Sequence, residues 1–453
     1  MHPVLFQLPL PAWTIPLFPA LLVLAALGAL LALFGYQKRA GDLLVIGLVL
    51  AAAAGLSAFS YRGQVTTLSP LPIYSYGAML CVSIVVGWFL TLGLAERDGL
   101  PRHKMANCYF VTAASALIGA RLLYFVTNPQ EFDVFRDLFA FRRGGLVAYG
   151  GFIGGFIGSF AYLRSQKIRL LPWADVAVPS LASGLLITRL GCYLFGCDFG
   201  TPLGEGAPAW LRRLGTFPRW TEGTLLEGSG SPAWIQHVNQ RGLSPDATAS
   251  LPVHPTQLYE MLAGAVLLGL VFLVRKHRRF RGQVFLAFTL GYGYLRFAVE
   301  ILRDDAERGE LGPFVGTHVY LPAALLIFAA AYIYGPSRSV RPPNLRWATD
   351  ALALVPPVAL YLALRPASFA QAASTQLSTS QWIGLVTGVA AGVAWYTLDE
   401  AGKQHPAAAM SLGPGAAPEA DDSDAEAEPE EAPEPPPAPR PKPKKKKPQP
   451  SSS

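Results

Sequence analysis

Mostly apolar runs, each about 18 residues or longer and so able to cross a hydrocarbon core roughly 30 Å thick, recur from near the N-terminus to about residue 398. They predict membrane spans at 12–36, 42–60, 72–95, 105–126, 145–163, 174–194, 256–274, 283–302 and 316–335, with two weaker ones at 349–366 and 381–398. The expected fold is therefore all-α, a polytopic membrane helical bundle. No basic stretch precedes the first run, and Lys38 and Arg39 follow it, so it reads as a retained span and not a cleaved signal.

Polar residues between the runs orient the bundle. The clusters Lys38-Arg39, Arg97 to Lys104, Arg164 to Arg169, Arg275 to Arg281 and Arg338 to Arg346 all fall on one face when spans are counted between them. Basic short loops favour the cytoplasm, which gives an N-terminus outside and a cytoplasmic C-terminus. The count is eleven spans, or nine if the last two are reentrant. Arg136, Arg142, Arg143, Arg212, Arg213 and Arg219 run against the pattern. The loop 197–254, rich in Gly, Pro and Trp, falls outside and reads as an arm over a site. From about 404 the chain turns to Ala, Pro and Glu and ends in a basic run from Lys442 to Lys447, a composition expected to give a disordered cytoplasmic tail that touches membrane lipids.

Composition sharpens this picture: 51% apolar and 15% charged residues place the chain outside ordinary soluble classes. The net charge of +7 is better used by topology than by a nucleic-acid partner, which is not expected. Four cysteines lie mostly within spans, so no disulfide framework is read. Cys192 and Cys197 form an isolated pair without metal-ligand spacing, and neither a metal nor another cofactor is expected.

An ionisable group at mid-span costs roughly 2.5 to 3.5 kcal/mol on insertion scales, so each needs a partner, a watery cavity or a role. Arg296, Glu300 and Arg303 share one helical face by their spacing. Arg121, Tyr149, Arg189, His254 and Glu260 belong, like them, to the outward ends of their helices. Each arginine alone could snorkel or pair with a glutamate; as a set they point to a shared chamber. The run YGGFIGGFIG brings small residues to spacings that let helices approach closely, and the amides of Gly150 and Gly151 at its outer end are candidates to bind a phosphate or an oxyanion.

The segments YSYG at 74–77, GARLLY at 119–124, RRGGLVAYGGFIGG at 142–155, TRLGCYLFGCDFG at 188–200, HPTQLYE at 254–260 and RFAVEILR at 296–303 occur in an order that resembles the prolipoprotein diacylglyceryl transferase family. The similarity spans 70–335, which would be a seven-helix core, with additional helices over 1–69 and 336–403 and the tail over 404–453. It implies transfer of a diacylglyceryl group from phosphatidylglycerol to the lipobox cysteine in the signal peptide of a prolipoprotein, with loss of glycerol phosphate. By this resemblance Arg189 and Arg296 bind the lipid phosphate and stabilise the leaving group. Glu300 orients an arginine, Arg303 pairs with Glu260 or reaches the headgroup, and Tyr76, Arg121, Gly150, Gly151 and Glu260 line the substrate site. Tyr149 stands where family members commonly carry histidine, and Cys192 and Cys197 where many carry asparagine and glutamate. The proton acceptor is thus open among Tyr149, His254 and Asp198, with His254 also readable as a helix cap before Pro255. Other classes that fit an arginine-lined pocket are a transporter or lipid-binding membrane protein, and a divergent paralogue acting on another acceptor.

Overall fold

A computed structural model describes residues 3–8, 13–37, 41–60, 62–63, 65–68, 71–131, 145–220, 230–304, 309–366 and 373–416. Among these the long helices are α1 (Leu17–Gln37), α2 (Gly41–Ser60), α3 (Ser75–Arg97), α4 (Arg102–Thr127), α5 (Ala148–Ser165), α6 (Leu170–Phe195), α9 (Thr256–Lys276), α10 (Gln283–Glu300), α11 (Thr317–Tyr334), α12 (Pro343–Leu364) and α13 (Thr379–Gln404). Two short helices, α7 (Ala209–Leu214) and α8 (Pro232–Gln240), lie between α6 and α9, and α14 (Pro406–Ala409) follows α13. Seven helical segments are long and apolar enough to cross a membrane by length and composition, and the all-α polytopic architecture agrees with the sequence pattern.

Boundaries differ from expectation where proline or a pairing partner intervenes. Residues 13–16 pair as a strand with 65–68, so the first helix starts at Leu17 and not at 12. Pro16, with no amide hydrogen and a fixed φ, suits this last extended position before the helix. Pro343 starts α12 six residues ahead of the expected 349, at a first-turn position where its missing N–H costs nothing. The tail was expected to begin at about 404. Residues 405–416 instead pack: Arg169 N–H donates to Leu412 C=O at 2.9 Å, Arg281 N–H to Ala409 C=O at 3.0 Å and Gly415 N–H to Lys167 C=O at 3.1 Å. The remainder of the tail, 417–453, lies outside the described residues.

Small residues set the helix pairs. A Cβ on Gly150 would stand 2.3 Å from the Gly119 carbonyl, so α5 can lie this close to α4 only with glycine there. On the far side of the bundle a Cβ on Gly293 of α10 would meet the Gly384 carbonyl of α13 at 2.7 Å. Between these pairs runs α6, which packs on α3, α9 and α10. It also caps a neighbour. Asp175, fully buried, accepts from the amides of Gly282 and Phe285 at 2.8 and 3.0 Å, satisfying donors that the first turn of α10 leaves without intrahelical partners.

One face of the bundle carries the turns α3–α4, α5–α6 and α9–α10 and is basic. There Asp98, after α3, accepts from Arg275 at 2.7 Å, from both Nη atoms of Arg278 at 2.8 and 2.6 Å and from Arg281 at 2.5 Å. Burial alone would raise its carboxyl, but the Arg278 hydrogen bond and the three positive charges hold it below the usual range. The opposite face carries the α6–α9 connection. Its short bridges Gly200–Arg303, Pro202–Val253 and Pro218–Ala249 enclose Phe199, Phe217, Ala233 and Val253.

Candidate active site

The site begins where α6 stops. Gly196 adopts φ 83°, a left-handed cap whose amide donates to Cys192 C=O at 2.7 Å. Asp198 is also left-handed, with φ 56°. These two reversals fold the chain back so that the Asp198 carboxylate meets Arg189, on the preceding helical turns. Two side chains of the HPTQLYE segment fix the reversal: Thr256 Oγ1 donates to Asp198 C=O and Gln257 Nε2 to Cys197 C=O, both at 2.5 Å. Sequence reading passed over Thr256 and Gln257, although two polar residues opening an otherwise apolar helix were the available signal.

Around this loop three guanidiniums and three carboxylates interlock. Arg189 Nη1 lies 2.5 Å from Asp198 Oδ2, and its Nε pairs with Glu260. Arg296 Nη1 lies 3.1 Å from Glu260 Oε1 and pairs with Glu300, one turn on. Arg303 Nη2 lies 2.6 Å from the other Asp198 oxygen, with Nη1 4.0 Å from Glu260. Arg303 therefore reaches Glu260 as expected, but its shorter contact is to Asp198. Glu260, Glu300 and Arg303 are 4%, 2% and 8% exposed, so the charges sit where ion pairing is strong and an unpaired charge would be costly. Burial raises Asp198, yet Arg189, Arg303 and Arg296 together hold it below the ordinary carboxylate range. Among the described residues, the carboxylate contacts of Arg296 run through Nη1, which leaves the planar Nε–Nη2 edge of a fork suited to phosphate oxygens.

Tyrosines ring the network. Tyr292, one turn before Arg296, lies within electrostatic reach of Arg296, Glu260, Arg189 and Arg303, although sequence reading did not single it out. The i, i+4, i+8 spacing of Tyr292, Arg296 and Glu300 was the signal that could have found it. Tyr76 stands near Arg189 and Asp198. Tyr149 stands near Arg296, Tyr292 and Glu300. His254 does not cap α9, whose N-cap is Pro255. Its backbone bridges Gly200 and Thr201 at 3.0 and 2.9 Å, and its Nδ1 lies 3.2 Å from the Tyr259 hydroxyl. Partial burial keeps its imidazole below the usual histidine value, hence neutral at neutral pH.

The Gly150 and Gly151 amides donate to Val147 C=O at 3.0 and 3.3 Å, and Gly150 lies at backbone distance from Gly119 of α4. Arg121, 3% exposed, donates to Gly145 C=O at 2.9 Å and lies over the Tyr124 ring at 5.7 Å. Cys192 and Cys197 are not an isolated pair: Asp198 places a carboxylate oxygen within 4.8 Å of both thiols. Both oxygens of that carboxylate face guanidiniums, an environment hostile to a cation.

A family model described as prolipoprotein diacylglyceryl transferase matches residues 64–336, which include Arg189, Asp198, Glu260, Arg296, Glu300 and Arg303. The chain belongs to this family. A relative from Clostridium tetani named phosphatidylglycerol--prolipoprotein diacylglyceryl transferase is 27% identical over 239 residues, 52% of this chain and 82% of the relative. Proteins of the same name from Shouchella clausii and Bacillus cytotoxicus are 25% and 30% identical over 278 and 249 residues, covering 61% and 53% of this chain and 91% and 80% of theirs. These matches favour the transferase over the transporter and lipid-binding alternatives. The family match stops before α12 and α13.

Proposed function

We propose that this membrane protein transfers the diacylglyceryl group of phosphatidylglycerol to the thiol of the lipobox cysteine in a prolipoprotein signal peptide. The thiol loses its proton and the sulfur attacks the glycerol carbon bonded to the phosphate ester oxygen. A C–S bond forms, that C–O bond breaks, and the electron pair departs on glycerol phosphate. The thiolate is the competent nucleophile and the leaving group gathers negative charge, so the reaction requires a proton acceptor and preplaced cations.

The observation that carries this reading is the meeting of Arg189 from α6 and Arg296 from α10 on the same buried Glu260. Arg189 and Arg296 hold the phosphate, Glu260 and Glu300 fix the two guanidiniums, and Arg303 with Asp198 closes the network toward the α6–α9 connection. Asp198, engaged on both oxygens, is a weak base. His254, neutral and partly open, is the better acceptor for the thiol proton. Tyr149 and Tyr76 flank the lipid phosphate as hydroxyl donors. The basic face with Arg275, Arg278 and Arg281 is assigned to the cytoplasm of the inner membrane, which puts the site at the outer leaflet and the N-terminus outside. Residues 1–69 and 336–403 add helices to the core.

A bacterial strain depleted of its own diacylglyceryl transferase tests the proposal. Growth restored by the parent chain and abolished in both Arg189→Ala and Arg296→Ala supports it. Absence of rescue by a parent chain that reaches the membrane contradicts it.

A further inference from the structure

Two of the chain's four cysteines, Cys192 in the last turn of α6 and Cys197 just past its cap, meet beside the ion network. Their sulfurs and a carboxylate oxygen of Asp198 all lie within 4.8 Å of one another. Cys197 Sγ also stands 3.8 Å from the Cys192 carbonyl oxygen, and Cys192 Sγ 3.8 Å from Arg189 Nη1. A metal is the first candidate for such a group, but both oxygens of Asp198 face guanidiniums and cannot complete a ligand set. What remains is a dithiol.

The main chain that carries the two thiols is held from several sides. A Cβ on Gly191 would stand 3.1 Å from Tyr76 Cα, so this turn of α6 lies directly on α3. Gly196 takes φ 83° and is closed in by Phe217 and Ser231, which a Cβ there would meet at 3.0 and 3.1 Å. Gln257 Nε2 donates to the Cys197 carbonyl at 2.5 Å. The sulfurs thus face each other from fixed backbone, and bringing them to the bonding distance of about 2.05 Å asks for χ1 rotation at two residues. Access is unequal. Cys192 is 5% exposed and Cys197 more open, so Cys197 meets an oxidant first and Cys192 resolves it.

We infer that Cys192 and Cys197 are a redox-active dithiol that takes disulfide oxidants and closes to an intramolecular disulfide, stapling the Asp198 loop to the end of α6. The Cys197 thiolate attacks one sulfur of the external disulfide, displaces the other as a thiolate and forms a mixed disulfide. The Cys192 thiolate then attacks the Cys197 sulfur, so that the Cys192–Cys197 bond forms and the mixed disulfide breaks. Both protons lost by the chain end on the thiols of the oxidant, which has accepted two electrons. The outward orientation proposed above puts the pair where disulfides form and persist. The bond itself depends neither on that orientation nor on diacylglyceryl transfer. Once closed, it fixes residue 197 alongside Gln257 and keeps Asp198 at Arg189 when that hydrogen bond is removed.

The test exposes the reduced full-length protein, in phosphatidylglycerol vesicles, to oxidised glutathione, then quenches it in acid and labels it with N-ethylmaleimide under denaturing conditions. The reduced chain is expected to take a label on each of its four cysteines, and the oxidised chain only on Cys81 and Cys108, with no glutathione retained. Peptide mapping should place the loss of both thiol hydrogens between 192 and 197, and dithiothreitol should restore both labels. Cys192→Ser is expected to stop at a glutathione adduct on Cys197. Full labelling after oxidation, glutathione retained on Cys197 of the parent chain, or a disulfide that joins Cys81 in place of this pair overturns the inference. A second readout addresses the staple: oxidation should raise the unfolding temperature of the parent and roughly halve the drop caused by Gln257→Leu, because both fix residue 197. An equal drop in the reduced and oxidised states contradicts it.

Discussion

Arg296 shows how much one side chain can be asked to do in a low-dielectric chamber. Among the described residues its guanidinium joins Glu260 to Glu300 through one nitrogen, and the proposed function gives the rest of the fork to a phosphate. Arg296→Ala removes both roles and leaves two buried carboxylates short of a cation, so it should cut kcat/KM by at least about 100-fold and lower stability by about 3 to 5 kcal/mol. Arg296→Lys keeps the charge without the fork; it should recover stability more than activity, measured by detergent unfolding alongside product formation. Gln257→Leu leaves the Cys197 carbonyl without its donor and should cost about 1 to 3 kcal/mol, with activity falling because Asp198 is no longer held. The pH dependence follows from two depressed groups. His254 titrates below 6.5 in the folded protein, so a proton acceptor at this position gives an acid limb of kcat/KM below pH 6.5, absent in a His254→Gln variant that retains activity by another route. Asp198 titrates below 3.8; its contribution to stability is complete above that value and is lost as pH falls through the lower folded one.

At the scale of elements, the legible parts were those written as long periodicities. Apolar runs gave the helices, and the Arg296, Glu300 and Arg303 stripe gave one wall of the site, because helical spacing alone puts those residues on a face. Residues whose roles come from contacts made across the bundle were not legible. Thr256 and Gln257 acquire theirs by reaching Asp198 and Cys197, about 60 positions back in sequence. The amides of Gly150 and Gly151 looked available because sequence cannot say that Val147 C=O would take them. Asp175 likewise reads as an awkward charge in an apolar run until α10 is seen to need a cap. The close crossing of α10 and α13 makes a prediction at this scale: Gly384→Val drives a branched side chain toward the Gly293 backbone, should separate the two helices, and should lower both the unfolding temperature and activity. Asp98→Asn on the basic face should lower stability without changing KM, since it loosens three arginines far from the chamber.

At the scale of the whole molecule, the basic face and the ion network occupy opposite ends of the same helices, α6, α9 and α10. Residues 405–416 close the basic face by backbone hydrogen bonds to the α5–α6 and α9–α10 turns. Ending the chain after 416 should therefore leave activity and unfolding temperature as in the parent, whereas ending it after 404 should lower the unfolding temperature. The central claim is that Arg189 and Arg296 hold phosphatidylglycerol for attack by a cysteine thiol, and mass spectrometry of a lipobox peptide incubated with the purified protein in phosphatidylglycerol vesicles tests it most directly. The predicted result is a diacylglyceryl thioether on the cysteine together with free glycerol phosphate, both missing with Arg296→Ala; an unmodified peptide beside active, correctly folded parent-family enzyme controls would contradict it.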